Sequence, residues 1–140
     1  MREPRFSLAT LSLLSFLACS SPTPSDPPQP GGPTGAECPP DSTLTYRLPS
    51  GDPGFAQTFF TNYCIRCHAS ALTGADRHGA PPDRNYDSLV GLVETGGALI
   101  DGAAAAGPLR ANTFMPRSDP RPSDAERHQL GEWLACHMPP

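Results

Sequence analysis

Five consecutive residues, Cys64-Ile65-Arg66-Cys67-His68, restrict what this 140-residue chain can fold into more than any other feature. Two thiols three positions apart, followed at once by an imidazole, form the C-x-x-C-H pattern through which a c-type haem is attached. At the end of a helix that spacing brings both sulfurs within reach of the two vinyl groups of one haem. The next residue then turns its imidazole toward the iron, so one turn supplies both the covalent bonds and the proximal ligand. Cys64, Cys67 and His68 are therefore the expected haem-binding residues.

The same C-x-x-C spacing also serves thiol redox enzymes and zinc sites. A thioredoxin-like motif follows a strand in a βαβ setting, and no alternating strand pattern occurs here. A tetrahedral zinc site needs two further ligands, for which Cys136 and His137 are the candidates.

The remaining composition favours a cofactor. With 19 prolines, 13 glycines and 37% hydrophobic residues, a small domain has little apolar material for a self-sufficient core. A covalently bonded haem in the interior supplies an apolar nucleus. The formal charge is −4, lysine is absent and no basic run occurs, so the electrostatic footprint of a nucleic-acid binder is missing.

The amino end reads as an address. Arg2 and Arg5 precede an apolar run from Phe6 to Ala18, which is too short for a membrane-spanning helix of about 20 residues and has the layout of an export signal over residues 1–18. Its removal takes Arg2, Arg5 and Glu3 and leaves a net −5. Phe16-Leu17-Ala18-Cys19 resembles a bacterial lipobox, with Phe16 where leucine is usual, so Cys19 is the expected lipidation site. Residues 19–37 then form a tether of Ser, Pro, Thr and Gly. The chain is expected on the periplasmic side of a bacterial membrane, lipid-anchored, or as a soluble periplasmic protein if cleavage is ordinary.

The folded domain is expected over residues 38–140 and is all-α. Asp52 can cap a helix with Pro53 at its first position and Phe55, Phe59 and Tyr63 along one face. A second helix starts at Asn85 or Asp87, carries Leu89, Val90, Leu92 and Val93 in a packed position, and stops at Gly96-Gly97. Ser123 and Glu126 make a capping box for the last helix, which presents Leu130, Trp133 and Leu134 and ends near Cys136. Residues 69–84 and 98–118 read as long loops wrapped around the cofactor.

The other face of the iron needs a ligand, and Asn112-Thr113-Phe114-Met115-Pro116 offers Met115 in a loop ahead of the final helix. The bland reading of Met115 is a gap filler. Its competitors are Met138 beyond the last helix, His78 on the proximal side, the surface residue His128, and His137. Cysteine parity leaves Cys38 and Cys136 once Cys19 is given to lipid and Cys64 with Cys67 to haem. An exported compartment favours a Cys38–Cys136 disulfide.

Over residues 53–136 the chain resembles a class I cytochrome c domain. That resemblance implies that Phe60, four positions before the first cysteine, packs where the first helix crosses the last, with the small residue Ala56 permitting close approach. It also implies that the carbonyl of Pro81, in Gly79-Ala80-Pro81, accepts the hydrogen bond from the second nitrogen of His68. Arg77 reads as a solvated side chain or a neighbour of a haem propionate. The lysines that guide docking to oxidases are absent. The implied function is that of a monomeric electron carrier rather than an enzyme, with His68 and Met115 closing both axial positions and redox proteins as partners. A haem enzyme or sensor with a labile sixth ligand is the alternative.

Overall fold

The computed structural model describes residues 31–138; the export signal, Cys19 and most of the tether lie outside the described residues. Among the described residues five helices account for the regular structure: α1 (Phe55–Tyr63), α2 (Ile65–His68), α3 (Leu89–Thr95), α4 (Gly97–Ala104) and α5 (Asp124–His137), with a short 3-10 turn at Gly74–Arg77. Among the described residues strand pairing is confined to two isolated bridges, Arg47 with Pro53 and Ala106 with Ala111. The class is all-α, as expected.

Helix α5 is the element on which the others are laid. Its start is the expected capping box: the Ser123 hydroxyl accepts from the Glu126 N–H, and the Glu126 carboxylate accepts from the Ser123 N–H at 2.8 Å. These bonds satisfy amide groups that a helix start otherwise leaves unpaired. Leu130, Trp133 and Leu134 are buried on one face. Phe60 of α1 meets Trp133 nearly edge-on, with centroids 5.9 Å apart, and Ala56 has no exposed surface. The crossing is thus the one the resemblance implies. Gly131 lets the loop after α4 touch the helix backbone, because a Cβ there would stand 2.3 Å from the Ala106 carbonyl oxygen.

Helix α1 begins later than the sequence suggests. Its N-cap is Gly54 rather than Asp52. Asp52 is occupied in the preceding turn, where its carboxylate accepts from the Ser50 hydroxyl and its carbonyl accepts from the Leu48 N–H. Helix α3 likewise starts after Ser88, whose hydroxyl accepts from the Gly91 N–H. Asn85 and Asp87 serve other partners, Arg77 and Ser70 respectively. The expectation that α3 packs with all its apolar residues is corrected too: Leu92 is buried, but Val90 and Val93 are 66% and 60% exposed.

Two further corrections concern the loops. The stretch after Gly96 is not a loop throughout, since Gly97–Ala104 is α4. Gly96 sits at φ +90°, where it ends α3 and turns the chain directly into α4. Ile100 and Ala104 then bury against the core. Residues 31–36, read as part of the tether, are docked on the domain. Thr34 is fully buried and gives both its N–H and its hydroxyl to the Asp101 carboxylate. The Gly31 N–H reaches the Gly102 carbonyl, and the Asn112 amide reaches the Gly32 carbonyl.

Cys38 and Cys136 are joined in a disulfide, as cysteine parity predicts, with Cα atoms 4.8 Å apart and a sequence separation of 98. Closing so long a loop restricts the unfolded chain far more than the native one. Replacing both residues by Ser is expected to lower unfolding stability by about 2–4 kcal/mol. Urea unfolding of the two proteins checks this, and an unchanged midpoint counts against the estimate.

Candidate functional site

The haem-type motif lies at the junction of α1 and α2. The C-cap of α1 is Cys64, and its carbonyl accepts from both the Cys67 and the His68 N–H. This tight turn is what puts the two thiols and the imidazole on one side of the chain. All three residues line one cleft of about 670 Å³, and Met115 lines it as well. The motif and the expected sixth ligand, separated by 47 positions in sequence, share a single cavity. Phe59, Phe60, Tyr86, Leu99 and Ile100 supply apolar wall. The charged residues that line it are Arg66, Arg84 and Arg117.

The chemistry of these groups suits a covalent haem. Cys64 and Cys67 are free thiols, and burial pushes the Cys64 thiol up to about 12, so it is held protonated. His68 is only 7% exposed, and its Nδ1 lies 3.1 Å from the Arg84 carbonyl oxygen. With Nδ1–H donating there, Nε2 keeps its lone pair for a metal. Burial also pulls the His68 pKa down, which favours the neutral ring a ligand must be. The ring of Tyr86 stacks on His68 at 4.4 Å and 20°, and the Tyr86 N–H donates to the His68 carbonyl. The cavity volume is in the range of cofactor sites, which are concave and mostly apolar.

Pro81 does not take the role expected of it. Its carbonyl accepts from Arg77 at 2.7 Å, and Arg84, three residues later, provides the acceptor for His68. Pro81 still lines the cleft. Arg77 is neither solvated nor turned to the cavity. It is buried, and its guanidinium donates to the carbonyls of Ala69, Leu72, Ala80, Pro81 and Arg84 and to the Asn85 side chain. One cation thereby shapes the whole loop after the motif. In sequence it looks like any surface arginine between Asp76 and His78.

Of the competing ligands, His78 lines the same cleft as Met115, and the others lie away from its lining. Cys136 is in the disulfide and the His137 Nε2 lies 2.8 Å from the Leu44 carbonyl oxygen, so neither joins Cys64 and Cys67. Among the described residues no three His, Cys, Asp or Glu side chains group as a metal site. The two ligands of the zinc reading are thus committed elsewhere. His128 is exposed on α5. Met138 is not a peripheral terminal residue; it is buried in the core against Gly97, away from the cleft lining. His78 is exposed, has φ +50° and lines the cleft.

Met115 is partly buried, and its backbone is tied at both ends. Its N–H donates to the Ala103 carbonyl at 2.8 Å, and its carbonyl accepts from Arg127 at 3.0 Å. Arg127, for which the sequence offers no signal of burial, is 2% exposed. Arg66, inside the motif, donates to the carbonyls of Ser118 and Asp119, tying the segment after Met115 back to the motif. At the cleft edge the Tyr63 hydroxyl donates to Glu126 at 2.8 Å.

No protein-family model, curated protein or solved structure matches the chain.

Proposed function

We propose that the chain is a monohaem c-type cytochrome that passes single electrons outside the cytoplasm. The observation carrying this reading is that Cys64, Cys67, His68 and Met115 line one largely apolar cleft. Cys64 and Cys67 would hold the haem through thioether bonds, and His68 and Met115 would be the side chains that ligate its iron. Once bound, the haem supplies a one-electron iron couple, and methionine ligation sets that couple relatively high. The protein does the rest by restraint. The Arg84 carbonyl and the Tyr86 ring hold the His68 imidazole in one orientation and tautomer. The aromatic and aliphatic walls exclude water, which lowers the local dielectric. With His68 and Met115 both ligating, no open site would be left on the iron for a substrate, so the reading is a carrier and not an enzyme. The long segments 69–84 and 105–118 would then lie around the cofactor.

Its partners are other redox proteins. An anchor at Cys19 would keep it at the periplasmic face of a membrane, and ordinary cleavage would release it as a soluble periplasmic carrier. Among the described residues no helix is long and apolar enough to cross a membrane.

The test is spectroscopic. The full chain, made with haem maturation machinery, is expected to bind one haem per chain. Its reduced form should give a c-type spectrum, and its oxidised form the weak far-red band of iron bonded to methionine sulfur. A preparation that takes up no haem sinks the reading. A five-coordinate spectrum replaces it with a haem enzyme or sensor having an open sixth position.

A further inference from the structure

We infer that Arg127 is the positioning residue for the sixth ligand: a buried guanidinium on α5 that pins Met115 by its backbone and so holds its sulfur toward the iron. This rests on the cytochrome reading and adds to it the device that fixes the distal side. The single nitrogen Nη1 of Arg127 donates to the carbonyls of Ala104, Asn112 and Met115 at 2.7, 2.9 and 3.0 Å. These carbonyls belong to the end of α4, the middle of the ligand loop and the ligand itself. One charged donor therefore gathers the three places that determine where Met115 sits.

The arrangement is costly enough to need a reason. Among the described residues no carboxylate pairs with Arg127, and the one ion pair joins Arg121 to Asp119. Burying a cation without a counter-ion is unfavourable, and hydrogen bonds to it offset part of that cost. Here three carbonyls face Nη1, including one that the end of α4 leaves without a helical partner. The backbone of Arg127 takes part too, because its carbonyl accepts from the Ala106 N–H at 2.9 Å. Asn112, whose carbonyl is the middle acceptor, is itself locked by side-chain bonds to the Gly32 and Asp101 carbonyls, both at 2.9 Å. Among the described residues, the hydrogen bonds of the Met115 backbone are those from Arg127 and to Ala103. Without Arg127 the Met115 backbone keeps, among the described residues, its N–H bond to the Ala103 carbonyl.

Arg77 provides the comparison that separates positioning from general stability. It is also a buried arginine bonded to carbonyls, but it organises the loop carrying the acceptor for His68 and touches nothing on the Met115 side.

The full chain carrying covalent haem is compared with Arg127→Met, Arg127→Lys and Arg77→Met. In Arg127→Met the haem stays attached, the methionine band of the oxidised protein weakens or disappears, and the midpoint potential falls. Carbon monoxide binds the reduced protein faster by about tenfold, the change expected from losing one hydrogen bond to a charged donor. Arg127→Lys, which keeps a cationic donor, recovers the band at least in part. Arg77→Met keeps the band. If Arg127→Met shows wild-type band and carbon monoxide kinetics, or if Arg77→Met loses the band to the same degree, the assignment is overturned. Should Arg127→Met yield no holoprotein, Arg127→Gln is measured in its place with the same deciding outcomes. A wild-type protein lacking covalent haem or the methionine band would instead sink the cytochrome reading itself, so the two failures are told apart.

Discussion

Replacing Cys64 and Cys67 together by Ala is expected to remove all haem that survives a denaturing gel. Thioether bonds persist when the fold is lost, whereas coordination by His68 and Met115 depends on the fold that brings them to one cleft. The wild-type band should stain for haem and the double variant should not, although haem added to the folded variant can still be ligated. Thiol counting gives an independent check. Cys38 and Cys136 are already bonded, and among the described residues Cys64 and Cys67 are the free cysteines. Alkylation under denaturing, non-reducing conditions should therefore label both in protein made without haem and neither in the loaded form. Haem staining that remains in the double variant would exclude attachment at this motif.

Met115→Ala should open the sixth position. The far-red methionine band disappears, carbon monoxide and cyanide bind readily, and the potential drops, because a soft neutral thioether favours ferrous iron more than water or imidazole does. Met115→His should restore six-coordination at a lower potential. The control is Met138→Ala. Since Met138 is 6% exposed and packed in the core, that variant should lose roughly 2–5 kcal/mol of stability while keeping the methionine band. Loss of the band in Met138→Ala alone, with Met115→Ala unaffected, would assign the ligand to Met138.

Much of the candidate site is legible in sequence because its chemistry is local. C-x-x-C-H needs only one turn to define itself, and Cys64, Cys67 and His68 line one cleft as that turn requires. Met115 is proposed on a weaker argument, a methionine at a suitable distance before the last helix, and the structure puts it on the same cleft. The cap of α5 is equally local: Ser123 and Glu126 bond reciprocally across three residues. Cys38–Cys136 follows from counting alone. Misses begin where a polar side chain has several possible partners. Asp52, Asn85 and Asp87 are all good caps, yet each is claimed by another group nearby. Pro81 fits the resemblance, yet its carbonyl faces Arg77, and the carbonyl that His68 meets is that of Arg84, which Arg77 also reaches.

What this sequence determined by itself is the set of groups with chemistry to perform: two thiols and an imidazole in one turn, a capped final helix, an aromatic residue at Phe60 and a pair of leftover cysteines. Their spacing is short or their number is small, so neither depends on how the rest of the chain packs. Only the tertiary structure decided that Arg77 and Arg127 are internal. An arginine can be buried when enough carbonyls converge on its fixed fork of donors, and that convergence exists only after loops distant in sequence have met. Ala104, Asn112 and Met115 reach Arg127 from 23, 15 and 12 positions away. The docking of Thr34 on Asp101 across 67 positions, and the helical state of Gly97–Ala104 against α5, have the same origin: each is stabilised by contacts that no local pattern contains.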